Sequence, residues 1–137
     1  MQSEKVESKF EKASVQETPR MVGSHSTELD IDKEIEELHC SPDWKGGLAR
    51  KMLVRYPDLQ IMLRAMKANT RIPEHHNPGR ISVQTLRGHI RMHADGKLFD
   101  LPEGKVLILD RAVTHDVEAV EESAFLLTVA LPESAGR

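Results

Sequence analysis

Cysteine, tryptophan and tyrosine each occur once in 137 residues, and aromatic residues make up only 4% of the chain. A lone Cys40 cannot form an internal disulfide. No paired base stands near it in sequence, so it reads as a packing residue rather than a nucleophile. No apolar run approaches the roughly 18–20 residues that a membrane-spanning helix needs, and no membrane partner is expected. The net charge is −3 with 30% charged residues, so a basic face for nucleic acid is missing. Ser82 has no nucleophile elbow around it, and there is no glycine-rich phosphate loop. The opening MQSEKVESKFEKASVQ lacks the apolar stretch of a secretory signal. These absences predict a protein of a reducing compartment, with the cytoplasm as its expected location.

What is present falls into two parts. Residues 1–28 hold four Lys or Arg, five Glu and few large apolar side chains. Such a stretch buries too little to offset its ordering entropy, and it is expected to be a flexible or partner-dependent arm. Residues 29–137 form the expected folded domain. Ile31, Ile35 and Leu38 recur at helical spacing after Asp30 or Asp32 as N-cap, which predicts a short helix over Leu29 to His39; the same LDIDKEI also alternates as an edge strand would. Ser41-Pro42 stops any helix.

Beyond Trp44 the hydrophobic period becomes two. Strands are predicted over Leu48–Val54, Leu59–Ala68, Arg80–Arg87, His89–His93, Lys97–Leu101, Val106–Leu109, Thr114–Val120 and Ala124–Leu131. Turn chemistry separates them at Tyr56-Pro57-Asp58, Asn77-Pro78-Gly79, Asp95-Gly96 and Pro102-Glu103-Gly104. Many short strands without a long helix predict an all-β antiparallel sandwich or barrel.

Two stretches of this region together resemble the cupin family of jelly-roll barrels. In RIPEHHNPGRISVQTLRG, counting back from Gly88 places His75, Asn77 and Ile81 where that family's first motif has His, His and Glu. In GKVLILDRAVTH, Gly104 to His115 keeps the register of the second motif, with Asp110 and Ala112 in place of its Pro and Gly. HIRMHADGKLFDLPEG looks like the hairpin between them. The resemblance covers Trp44 to Pro132. It implies an antiparallel jelly roll whose mouth holds a metal on three His and one Glu, and of these only His75 and His115 are matched.

Imidazole ligates divalent Fe, Mn, Ni, Cu and Zn, so a divalent transition metal is the expected cofactor, held by His75 and His115 with His76 or Gln84 as further candidate ligands. Taken alone, histidines at a turn are more often solvated than metal-bound; the motif spacing is what raises His75 and His115. Strand alternation sends His75 and His76 to opposite faces unless the Asn77-Pro78-Gly79 turn bends the chain. It also puts Gln84 opposite Ile81, Val83 and Thr85 unless a bulge intervenes. Asn77, Ile81, His93 and Met66 are the candidate pocket-lining residues. Glu74 and Asp116 should face outward, with Asp116 able to orient a histidine. The expected function is a metal-dependent cupin acting on or binding a small organic molecule, by dioxygenase- or isomerase-like chemistry; the alternative is a metal-free cupin that binds or senses a small ligand. Sheet edges tend to be paired or covered, and AFLLTVAL and LARKMLV offer apolar faces, so a homodimer is expected.

Overall fold

The computed structural model describes residues 25–132. The expected arm lies outside them except for residues 25–28. Helix α1 spans Ile31–His39. Asp30, in extended conformation, caps it by accepting a hydrogen bond from the Lys33 N–H at 3.2 Å, which satisfies an otherwise unpaired donor of the first turn. Its Ile35 and Leu38 face is buried, and a short 3-10 helix, Pro42–Gly46, follows it.

Nine strands come next: β1 (Leu48–Arg55), β2 (Leu59–Met66), β3 (Arg71–His75), β4 (Arg80–Arg87), β5 (His89–Ala94), β6 (Lys97–Pro102), β7 (Val106–Leu109), β8 (His115–Ala119) and β9 (Ser123–Ala130). All pair antiparallel, in a five-stranded sheet of order β1-β2-β9-β4-β7 and a four-stranded sheet of order β3-β8-β5-β6. This is the jelly-roll layout, so the expected all-β architecture holds. β3 is an additional strand in a segment that reads as a corner. Its Pro73 has no N–H to give, which a strand at the edge of a sheet tolerates.

Alternation sorts the side chains into two cores. Ile81, Val83, Ile90, Met92, Val117, Phe125 and Val129 point between the sheets and build the barrel interior. Ala49, Leu53, Leu63, Ala65 and Ala124 point out of the larger sheet and pack under α1 with Ile35 and Leu38. Lys51 clips the helix to β1, its ammonium 2.6 Å from Glu34 and 3.0 Å from Glu37. The Glu34 contact is close without being aligned as a hydrogen bond. Thr85, fully buried, donates its hydroxyl to the Leu101 carbonyl and fastens β4 to β6. Gly88 turns the chain from β4 into β5 at φ 80°; a Cβ there would strike the Glu122 carbonyl and the Ser123 side chain.

Candidate metal centre

β3 and β8 bring the two motif histidines together. Their register runs Ile72 to Val117 and then His75 to His115, three steps on β3 against two on β8. The extra residue is a bulge, and it rotates His75 onto the face that Val117 and His115 present to the barrel. Without it, alternation from Ile72 would aim His75 outward. The imidazole centroids stand 4.3 Å apart at 62°. His115 is buried at 5% exposure, while His75 is exposed, so the pair marks the boundary between interior and solvent.

Each ring is held the same way. His75 Nδ1 lies 2.8 Å from the Pro73 carbonyl and His115 Nδ1 2.9 Å from the Val113 carbonyl. A carbonyl oxygen only accepts, so each Nδ1 carries a proton and donates, which leaves Nε2 as the nitrogen of each ring that can offer a lone pair. That is the tautomer in which an outer partner prepares a histidine for a metal. Burial lowers the His115 pKa; the Val113 carbonyl opposes that shift and the neighbouring His75 adds to it. His115 is therefore neutral at physiological pH.

The loop after β7 completes the mouth. The Ala112 N–H donates to the Asn77 carbonyl at 2.9 Å, tying the second motif to the first. Ala112 sits at φ 63°, a conformation that favours the glycine usual at this motif position. Arg80 at the start of β4 reaches Asp110 at 2.9 Å just past the end of β7. The Arg111 backbone N–H, and then Arg80, hold the Asp110 carboxyl below the usual carboxylate range.

The other candidates scatter. Asn77 stays at the mouth, with its side-chain oxygen accepting from the Gly79 N–H at 2.9 Å. His76 is exposed, and near enough to His115 for its charge to be felt there. Ile81, at 3% exposure, packs in the core where the family motif has a carboxylate. Gln84 projects from the outer face of β4, between Val106 and Leu126 in register, because no bulge interrupts Ile81–Thr85; it stands away from the pair. Met66 is sealed in the barrel core. His93 leaves the pocket for the outer face of β5, where its Nδ1 donates to Asp116 at 3.1 Å.

Asp116 is the site-supporting residue whose partners were least legible. It faces away from His115 on the same strand and takes three hydrogen bonds, from the His93 N–H at 3.0 Å, from the His93 ring, and from Arg71 at 2.7 Å. The carboxylate thus joins β8 to both of its neighbours, β3 and β5, immediately behind the inward histidine. Alternation could place Asp116 outward, but only tertiary register supplies its partners.

Two imidazoles with free Nε2 lone pairs fit a divalent transition ion as part of its ligand set. Among the described residues no third His, Cys, Asp or Glu completes a metal-binding group, and no described helix is long and apolar enough to cross a membrane.

No protein-family model matches the chain, and no curated protein matches it. Solved structures do. A conserved protein of unknown function from Streptococcus pyogenes superposes with a TM-score of 0.64 at 24% identity, covering 85% of this chain and 97% of that one. A cupin superfamily protein from Desulfitobacterium hafniense gives 0.60 at 18% identity, over 62% and 78% of the two chains. A salicylate 1,2-dioxygenase variant from Pseudoaminobacter salicylatoxidans gives 0.63 at 16% identity, over 73% of this chain and 32% of that one. Two antiparallel sheets, the paired motif segments and these superpositions agree: the chain has the fold of a small cupin.

Proposed function

We propose that this cupin binds a divalent transition metal (Fe, Mn, Ni, Cu or Zn) through Nε2 of His75 and His115, and binds or acts on a small organic molecule there. The observation that carries the proposal is the matched pair of rings, each held by a carbonyl in the metal-ready tautomer and brought to one place by a bulge. His76 and Asn77, next to His75 in the chain, are the further candidate donors, and Gln84 is not proposed. When bound, the ion would supply a Lewis acid for an oxygen of the substrate. The chain's own part is to orient the rings through Pro73 and Val113, to keep His115 unprotonated by burying it, and to exclude water below the pair with Ile81 and Val117. That a dioxygenase shares this fold supports oxygenase- or isomerase-type chemistry as the class to test.

The test is elemental analysis of protein purified without added metal. About one ion per chain, lost in both His75→Ala and His115→Ala, is the expected result. Metal that is absent, or unchanged in these variants, overturns it and leaves a metal-free, ligand-binding cupin. Ile81 in place of a carboxylate is the specific observation that favours this second reading.

We also propose a cytoplasmic homodimer. AFLLTVAL is unavailable for the contact, since β9 is central and its side chains fill both cores. Among the described residues, Val106 and Ile108 on edge strand β7 and Leu98 on β6, each at least half exposed, are the large apolar side chains left to cover. Light scattering that finds a monomer at micromolar concentration would refute the dimer.

A further inference from the structure

The turn between β3 and β4 is wedged against the end of the barrel. Gly79 is buried there, and a Cβ on it would come within 2.7 Å of the Ala130 carbonyl oxygen and 2.8 Å of a Val129 methyl. Only glycine lets the backbone approach β9 so closely. Pro78 fixes its own φ and steers Asn77 away from the helical region. The Asn77 side-chain oxygen then closes the turn by accepting the Gly79 N–H at 2.9 Å, the local bond by which an asparagine stands in for a backbone turn.

So placed, the Asn77 backbone carbonyl meets the loop between β7 and β8, where it accepts the Ala112 N–H at 2.9 Å. Val113, the next residue, gives its carbonyl to His115 Nδ1 at 2.9 Å. His75 stands two residues before Asn77 and is paired in register with His115. A short series of contacts thus runs from the barrel end through Gly79, Asn77, Ala112 and Val113 to the buried ring. The other tie between these two connections is the Arg80–Asp110 pair, whose side chains are 50% and 72% exposed. Water screens it, so it fixes little. The bond from Ala112 carries the connection, and Ala112 adopts φ 63° in making it, a conformation that a residue with a Cβ keeps only where its surroundings hold it.

We propose that Asn77 is a positioning residue that sets the His115 ring for an ion and is not itself a ligand; the ion's part in this rests on His75 and His115 being the metal ligands. The Asn77 side-chain oxygen is committed to Gly79, and its amide nitrogen only donates. Loss of the outer partner of a metal-binding histidine typically weakens the metal ten- to hundredfold. Asn77 acts on that partner, Val113, from one contact further out, so the lower end of the range applies.

NMR of the histidine ring nitrogens in the metal-free full chain, at mildly alkaline pH where the rings are neutral, tests the positioning. Zn2+ calorimetry on the same proteins tests its effect on an ion. The parent should show His115 as one tautomer, protonated on Nδ1. Asn77→Ala should give a mixture of tautomers at His115, lower Tm by only a few degrees, and weaken Zn2+ about tenfold. Asn77→Asp, whose carboxylate accepts the same N–H, should restore the single tautomer. His75, held from within its own strand by Pro73, should change little. The proposal is overturned if Asn77→Ala leaves the His115 tautomer intact, even where Zn2+ binding falls, because that is the mark of a lost ligand. It is overturned equally if Asn77→Asp fails as Asn77→Ala does, or if His75 loosens as much as His115. A chain whose His115 tautomer responds as expected but whose parent takes up no Zn2+ upholds the positioning role and refutes the metal reading instead.

Discussion

Replacing Asp116 separates a charge from the hydrogen bonds that it accepts. In Asp116→Asn the side-chain oxygen can still take the His93 N–H, while the new amide group faces the Arg71 guanidinium donor to donor. The ion pair is lost, but its magnitude is modest. Asp116 is only 8% exposed, yet it is covered by Arg71 and His93 themselves rather than sunk in the barrel. Those two side chains are 61% and 59% exposed, so water screens the pair and replaces it readily. About 1 kcal/mol is the expected cost. Asp116→Ala also strips the His93 backbone N–H of its acceptor, which raises the total to about 2 kcal/mol. Urea unfolding at neutral pH reads both values. Acidity supplies a second, independent reading. Burial works to raise the Asp116 pKa, but the His93 backbone N–H, the His93 ring and Arg71 outweigh it and leave it lowered from 3.8. A carboxyl depressed in the folded state contributes its full stabilisation above the unfolded value and loses it as pH falls through the folded one. The gap between the parent and Asp116→Asn should therefore stay constant down to about pH 4 and close below it. Equal losses in the Asn and Ala variants, or a gap indifferent to acid, would refute the reasoning.

Gly88→Ala should cost about 2–4 kcal/mol in denaturant unfolding, since both its left-handed φ and the Glu122 carbonyl resist a Cβ. Ala112→Gly should do the opposite and stabilise by about 0.5–1 kcal/mol, relieving φ 63° at some entropic cost; calorimetry showing a lower Tm would contradict this. Lys51→Met should destabilise by about 2 kcal/mol, because it leaves Glu34 covered and unpaired. Desolvation works to lower the Lys51 pKa, yet Glu34 and Glu37 prevail and raise it. The stabilisation should thus persist at neutral pH and fade only as pH climbs through the raised value, which unfolding at alkaline pH will reveal.

The strands were legible wherever alternation and turn residues agreed. β4 and β7 begin and end at Arg80, Arg87, Val106 and Leu109 as period and punctuation predict. The helix starts one residue after the capping Asp30 for the same local reason. Alternation also put Gln84 opposite Ile81, as its register with Val106 and Leu126 has it. β3 was not legible: Pro73 and the adjacent histidines read as a corner, and only pairing with β8 makes them a strand. The bulge that turns His75 inward belongs to that pairing and leaves no mark in the residues themselves.

His75 and His115 sit on strands separated in the chain by four others, so the β3–β8 ladder that unites them closes a loop holding all of β4 to β7. Such long-range pairing is slow, because the loop entropy must be surrendered before any contact rewards it. The imidazole couple accordingly exists only once β8 has paired with β3. A nascent or truncated chain lacking β8 would own only one histidine of the pair, so the proposed ion capture would time-stamp that pairing instead of seeding it.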